Sequence, residues 1–197
     1  MSALALVFQG PMNPPATTKL RNAICAASNE RLTPMQGQAV GPKRFDTLFL
    51  LMSSPGGSLE EGFALYGLLR SVPIKVITVN IGIIASIATV PFLAGTDRIA
   101  YPHSRFHFHN FEWYDGAPHN LTRLEFEDHT QLIDTGRAGN LDLLKAHTAL
   151  TDEDLQTLKL LDLPTVKDAV FAQEKGIVQS VQFPVYRADT VFLNVDY

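Results

Sequence analysis

Residues Val76 to Thr96 form an uninterrupted run of 21 uncharged residues, which on length alone could cross a membrane as a helix. The run is not uniform, however. It opens with the β-branched sequence VITVN, which is typical of a strand, and Gly82, Ser86 and Pro91 interrupt the remainder. We therefore predict a strand over Lys75 to Asn80, a turn at Gly82 and then a buried helix.

The composition is that of a globular protein in which such a run can be buried. Of 197 residues, 46% are hydrophobic and 18% are charged, which excludes a disordered chain. This length, without an internal repeat or linker, predicts a single domain over residues 1–197. The net charge of −4 gives no general cationic surface, so neither nucleic acid nor a membrane is an expected partner.

The N-terminus and the only cysteine indicate a cytoplasmic protein. The opening sequence MSALALVF contains no Lys or Arg, and its apolar run is too short for a signal peptide. Cys25 has no second cysteine with which to form an internal disulfide, which fits a reducing compartment. We interpret Cys25 as a small buried apolar residue.

Strands alternate with helices in the first half of the chain. Leu4 to Phe8 has the pattern of a strand that a helix follows, and Thr47 to Met52 is apolar almost throughout, as in a parallel strand covered on both faces. A capping box at Ser58 to Glu61 starts the next helix, which Pro73 ends. Asn29 to Arg44 is a long loop, either a tolerated insertion or a lid. These patterns predict an α/β fold with a parallel sheet.

The second half begins with a short alternating strand at Arg105 to His109, after a strand at Arg98 to Tyr101. Its phenylalanines face one side and His107 and His109 face the other. A long charged helix follows from Asn120 to about His147, with predicted interruptions near two glycines, Gly136 and Gly139. A capping pattern at Thr151 to Asp154 starts another helix.

Three short segments could carry chemistry, and each also has an ordinary structural explanation. The Ser53 to Gly57 turn either reverses the chain or aims backbone N–H groups at an oxyanion. Ser86 is either a helix cap or a nucleophile at a helix N-terminus. His109 is either a hydrogen-bonded structural histidine or a general base.

Taken in order, these segments resemble a known family. The chain contains SSPGGSLEEGFALYGLL, then NIGIIASIATVPFLAG, then YPHSRFHFHN. This series is similar to the Clp proteolytic subunit, a serine peptidase of the ClpP/crotonase superfamily, which carries SPGG, G-x-x-A-S and P-x-S-R-x-x-x-H. The resemblance implies a spiral of β-β-α units with a protruding handle helix, here the region of about residues 110–150.

The resemblance also implies a catalytic role for particular residues. Ser86 is the expected nucleophile and His109 the base that takes its proton, as in a Ser-His-Asp triad. The backbone N–H groups of Gly56 and Ile87 are expected to hold the tetrahedral oxyanion. No cofactor is implied.

The acidic member of the triad is less well defined. In the family the aspartate precedes an A-x-x-x-G segment, which we match to Ala172 to Gly176. Asp162 is then the nearest candidate, at the cost of a two-residue slip in the match. Asp154 and Asp168 remain alternatives.

The expected partners also follow from the resemblance. The substrates are peptides or unfolded protein segments, and the handle helix implies a ring-forming homo-oligomer. The chain begins almost at its first strand, so a dedicated ATPase partner is not implied. Ala88 replaces a usual glycine, and Asn110 to Asp115 replaces the family's usual sequence after the histidine, which predicts a different substrate preference.

Three other functions compete with a peptidase. His103, His107 and His109 could bind zinc, although no acidic residue accompanies them at ligand spacing. If they do not, His107 either supports the site or replaces His109 as the base. A crotonase-type acyl-CoA enzyme would share the fold, and a catalytically silent scaffold would assemble through the handle helix.

Overall fold

The structure is a computed structural model that describes residues 2–28, 45–110, 122–158 and 163–195. The predicted loop at Asn29 to Arg44 and the candidate acid Asp162 lie outside these residues. The strands are β1 Ser2–Gln9, β2 Phe45–Ser54, β3 Lys75–Ala85, β4 Asp97–Ala100, β5 Arg105–Phe108, β6 Thr165–Asp168, β7 Ser180–Val181 and β8 Val191–Asn194. The helices are α1 Pro14–Ser28, α2 Leu59–Ser71, α3 Thr89–Leu93, α4 Arg123–His147, α5 Asp152–Leu158 and α6 Ala169–Glu174, and a 3-10 turn spans Ser86–Ala88.

The described strands form one sheet of eight, as the alternating pattern predicts. Its main path runs β6-β5-β3-β2-β1-β8, with β4 beside β3 and β7 beside β4. Every pair is parallel except β5 and β6, which are antiparallel. The carboxyl ends of β2 and β3 therefore lie side by side at one edge of the sheet.

The apolar run of β2 is explained by packing on both faces of the sheet. Leu48, Leu50 and Met52 belong to the main core, which includes buried residues of α1, α2 and α3. Phe49 and Leu51 belong to a second, smaller cluster with residues of β1 and β3. A strand covered on both faces has no solvent side, so its sequence shows no polar alternation.

The first ten residues of the uncharged run are strand, and the predicted turn at Gly82 is wrong. β3 continues through Gly82 to Ala85, pairing first with β4 and then with β5. Between these two pairings the Asn80 carboxamide accepts a hydrogen bond from Gly82 N (3.0 Å) and donates one to Arg105 O (2.9 Å). A Cβ at Gly82 would lie 2.7 Å from Ser53 Oγ, so glycine allows the irregular strand to pass close to β2.

The remainder of the run forms the 3-10 turn and α3, a buried helix of five residues. Across residues 2–28, 45–110, 122–158 and 163–195, no helix combines the length and apolarity that a membrane crossing requires.

Helix α4 is continuous, so the interruptions predicted near Gly136 and Gly139 are wrong. A Cβ at Gly136 would lie 2.7 Å from Leu59 Cδ1, and one at Gly139 would lie 3.0 Å from Phe63 Cζ. Both glycines therefore allow α4 to approach α2 closely, and their cost in helix propensity is offset by packing.

Two smaller predictions also fail. Ser58 Oγ accepts a hydrogen bond from Glu61 N (3.3 Å), but the Glu61 carboxylate binds Thr17 and Arg21 of α1, so only half of the capping box forms. Cys25 is exposed on α1 rather than buried. Cys25 lies outside the helical stripe of α1 that is buried, which consists of Ala16, Thr17, Leu20, Ile24 and Ala27.

Candidate active site

Ser86 occupies the junction at which β3 ends and the 3-10 turn begins. Its φ is 55°, the only positive φ of a non-glycine residue among the described residues. A left-handed conformation costs an L-residue about 1–2 kcal/mol, so the surrounding packing must impose it. The first amides of the following turn, including that of Ile87, have no acceptor within the turn because of their position. Ser86 therefore lies beside N–H groups that have no acceptor within the turn, which is compatible with the hypothesis of a nucleophile.

Gly56 lies directly against Ser86. It follows β2, the neighbour of β3 in the sheet, and has a φ of 94°. A Cβ at this position would be 2.7 Å from Ser86 Cβ and 3.3 Å from Ser86 Oγ. Only glycine combines this backbone conformation with this approach, so the SPGG motif is required by the contact with the serine.

The amides of the glycine turn point in different directions. Gly56 N donates a hydrogen bond to Ser54 Oγ (3.2 Å). Two hydrogen bonds of 2.7 Å connect the turn to Met12: Gly56 O accepts one from Met12 N, and Ser58 N donates the other to Met12 O. The Gly57 N–H belongs to the same trans peptide group as Gly56 O, which faces Met12. It therefore points in the opposite direction, away from Met12. Gly57, which sequence reasoning passed over, thus offers an amide that this bridge does not use.

Ile87 is held in place from beneath by α2. Its side chain is fully buried, and a Cβ at Gly62 would overlap it. The first turn of α2 therefore fixes the position of the Ile87 amide, and the glycine in LEEGF has a packing role.

His109 follows β5, the strand on the other side of β3. The register pairs His107 with Ala85, the residue before Ser86. Phe106 and Phe108 are buried, whereas His107 and His109 are partly exposed with their ring centroids 5.1 Å apart. The predicted alternation of β5 is confirmed.

A backbone carbonyl orients the His109 ring. His109 Nδ1 lies 2.6 Å from Asn110 O, and a carbonyl can only accept, so Nδ1 carries the proton. In the neutral ring Nε2 then has the free lone pair that a general base needs. Among the described residues, Ser86 Oγ has no hydrogen-bond partner, and catalytic hydrogen bonds often shorten only when substrate binds.

The two alternative acids make other interactions. The Asp154 carboxylate caps α5 through Thr151 N (3.0 Å), and the hydrogen bond from the Lys175 ammonium lowers the pKa of Asp154 to about 2. The Asp168 carboxylate caps α6 through Phe171 N (2.8 Å). In the register of β5 and β6, Asp168 lies opposite Arg105, which is at the end of β5 away from His109.

The three histidines of the zinc hypothesis do not form one cluster. His103 is exposed in the turn before β5. Within the described ranges, no group of three or more His, Cys, Asp or Glu side chains is arranged to hold a metal ion.

A family model described as Clp protease matches residues 42–184. The chain belongs to the Clp protease family. Over 64 residues it is 39% identical to ATP-dependent Clp protease proteolytic subunit 3 of Synechococcus sp. (strain CC9605), a match that covers 32% of each chain. It is 41% identical over 64 residues to the proteolytic subunit of Sorghum bicolor, covering 32% of this chain and 30% of the relative.

The match therefore spans about a third of the length of these curated relatives. The fold is similar over a much longer stretch. A solved structure of a ClpP1 mutant from Listeria monocytogenes superimposes with a TM-score of 0.69 at 19% identity, covering 94% of this chain and 92% of that one. The predicted ClpP-like α/β fold is confirmed.

Proposed function

We propose that this member of the Clp protease family is a serine endopeptidase that acts through an acyl-enzyme. The main supporting observation is the left-handed Ser86 held against the Gly56 turn, beside the strand that ends at His109. A serine hydroxyl is a weak nucleophile until a base takes its proton, and this arrangement supplies a base and amide donors on adjacent strands.

In the proposed mechanism His109 Nε2 accepts the proton of Ser86 Oγ as that oxygen attacks the peptide carbonyl. The Asn110 carbonyl keeps the proton on Nδ1 and so keeps Nε2 available. The imidazolium then donates its proton to the departing amine, and water hydrolyses the ester by the reverse sequence of proton transfers.

The oxyanion would be held by the Ile87 amide and by the glycine turn. The Gly56 N–H serves this role only after it releases Ser54 Oγ, whereas the Gly57 N–H needs no such exchange. Loss of one oxyanion donor typically lowers the rate by about 10²–10³-fold, so both donors matter for turnover.

Asp162 remains our proposed triad acid, and in that role it would accept the hydrogen bond from His109 Nδ1 that Asn110 O accepts in this structure. In the β5–β6 pair Phe108 lies opposite Thr165, and Asp162 precedes Thr165 by only three residues in the sequence. The interactions that occupy Asp154 and Asp168 also favour Asp162 over these two alternatives.

We further propose peptides or unfolded segments as substrates and a ring-forming homo-oligomer as the assembly. Exposed apolar side chains on α4 support the second point, because such residues favour burial in an interface: Leu124 (72% exposed), Phe126 (62%) and Leu132 (49%). A cytoplasmic location stays a prediction from the sequence.

The test is intact-mass analysis after treatment with a fluorophosphonate probe, alongside Ser86→Ala, with the oligomeric state measured in the same sample. We expect one adduct on the wild-type chain and none on the variant. An assembled wild-type oligomer that stays unlabelled contradicts the proposal and favours the silent scaffold. If only a monomer forms and stays unlabelled, labelling is repeated at concentrations at which the chain assembles.

A further inference from the structure

The pair formed by His107 and His109 contains one more imidazole than the proposed peptidase mechanism uses. The two residues lie two apart at the end of β5, and alternation places them on one face. Both rings are partly exposed, so a small solute can reach them. Neither ring is buried as a structural histidine of the core would be.

The spacing of the two rings suits a shared metal ion. Zn²⁺ binds an imidazole nitrogen at about 2.0–2.1 Å, and a tetrahedral angle between two such ligands places the ring centroids about 5 Å apart. The observed centroid distance is 5.1 Å, with the ring planes 46° apart. The separation of the two rings is therefore compatible with coordination of one ion by both.

The hydrogen bond of His109 also fits a metal ligand. Metal-binding histidines commonly donate their second ring N–H to a carbonyl or carboxylate, which fixes the tautomer and the direction of the free nitrogen. His109 Nδ1 makes such a bond to Asn110 O at 2.6 Å, so Nε2 is the nitrogen available to a cation.

We propose that His107 and His109 together bind a transition-metal cation of the imidazole-preferring class, such as Zn²⁺, and that the bound ion inhibits the enzyme. Imidazole suits Zn²⁺, Cu²⁺ and Ni²⁺, whereas Mg²⁺ prefers oxygen ligands. Since no described group of three ligating side chains surrounds the pair, the remaining coordination positions are open to water. The inhibition rests on the proposed function: an ion on His109 Nε2 occupies the lone pair that would accept the Ser86 proton.

Metal binding is measured first without any reference to turnover. The full chain, with any affinity tag removed, is titrated calorimetrically with Zn²⁺, and Co²⁺ is added separately to follow its visible absorption. We expect saturable binding of one ion per chain and no binding of Mg²⁺ under the same conditions. Removing one of two ligands should weaken binding by at least about tenfold, so His107→Gln is the informative variant.

The matched control is His103→Gln, which removes an exposed histidine from the turn before the same strand. We expect it to bind Zn²⁺ within about twofold of the wild-type chain. The proposal is overturned if the wild-type chain binds no Zn²⁺, or if the two variants lose affinity equally. Circular dichroism of each variant shows whether lost binding reflects unfolding, and His107→Asn replaces a variant that fails to fold.

Peptidase activity is the second measurement, normalised to the metal-free rate of each variant. The Zn²⁺ concentration that halves activity should rise about tenfold in His107→Gln and stay within about twofold in His103→Gln. Binding without inhibition overturns the inhibitory role alone. A chain without peptidase activity that still binds Zn²⁺ through the pair refutes the proposed function and leaves the metal site intact.

Discussion

The two halves of the candidate site are built very differently. The nucleophile half joins the carboxyl ends of β2 and β3, two interior strands of the sheet. Gly56 lies so close to Ser86 that a Cβ added at Gly56 would be 2.7 Å from Ser86 Cβ. The base half is the end of β5, which pairs with β3 over Ile83 to Ala85 and with the edge strand β6 on its other side. Within the described residues, His109 is oriented by the carbonyl of the next residue.

The difference in packing predicts different effects of substitution in the two halves of the site. Packing around Ser86 leaves little freedom, so a substitution there should change stability and activity together. The His109 side chain is partly exposed, so a substitution there should change activity with little change in stability. Variants on the two sides of the site can therefore test this difference.

The largest expected effect is that of His109→Gln on turnover. Removing the base of a serine peptidase costs about 10⁴–10⁶-fold in kcat, because the serine proton then has no acceptor. The free energy of unfolding should change by less than about 1 kcal/mol, since the ring is partly exposed. Peptide hydrolysis and urea unfolding of the same preparation measure both quantities.

His107→Gln is the control that decides which histidine is the base. We expect it to lower kcat by less than about tenfold, because its ring is not required to carry the serine proton. If His107→Gln is the more damaging variant, the roles of the two histidines are reversed.

On the nucleophile side, Gly56→Ala should be destabilising by about 2–4 kcal/mol and should also abolish labelling of Ser86. The added Cβ would lie 2.7 Å from Ser86 Cβ and 2.9 Å from Ala85 O, at a φ of 94°. Thermal unfolding and fluorophosphonate labelling follow the two effects.

The control for this substitution is Gly67→Ala, in the middle of α2. No heavy atom lies within 4 Å of the Cβ that it would add, so it should stabilise the protein by about 0.5–1 kcal/mol. A Gly56→Ala variant as stable as the wild type would show that the turn can move, and the contrast between the halves would fail.

The sequence pattern of the glycine turn reflects a local constraint of the backbone. Glycine at 56 is required by a conformation that few residues adopt, and such a requirement remains visible in a single sequence. The alternation in β5 was equally legible, since the period of a strand is two residues.

The failures involve contacts between distant residues. Arg98 looks like a polar residue at the start of a strand, yet it is buried and donates hydrogen bonds to the carbonyls of Gly95, His147, Gly176 and Ile177. Carbonyl acceptors leave no trace in side-chain patterns, so this connection between α4 and the turn after α6 could not be predicted. The prediction at Gly136 was wrong for a similar reason, because its neighbour Leu59 lies on another helix.

A smaller effect should distinguish two variants at the same position. Ser86→Gly and Ser86→Ala both remove the nucleophile, but only glycine adopts a φ of 55° without strain. We expect Ser86→Gly to be the more stable by about 1 kcal/mol, after allowance for the greater freedom of glycine in the unfolded chain. Equal stabilities in urea unfolding would mean that Ser86 relaxes out of the left-handed conformation in solution.

The smallest expected effect concerns Asp154, an alternative acid for the base half. Its pKa is lowered from 3.8 to about 2 by the hydrogen bond from Lys175, so the folded state favours the carboxylate. A depressed pKa contributes stability above about pH 4, and that contribution is lost as the pH falls towards 2. Asp154→Asn should therefore lower stability at neutral pH and weaken the pH dependence of unfolding between pH 4 and 2.

The kcat of Asp154→Asn should stay within about twofold of the wild-type value, because the carboxylate binds Lys175 and caps α5 rather than contacting His109. A loss of about 10⁴-fold, the size expected when a triad aspartate becomes an amide, would assign the acid to Asp154 and tie the base half to α5.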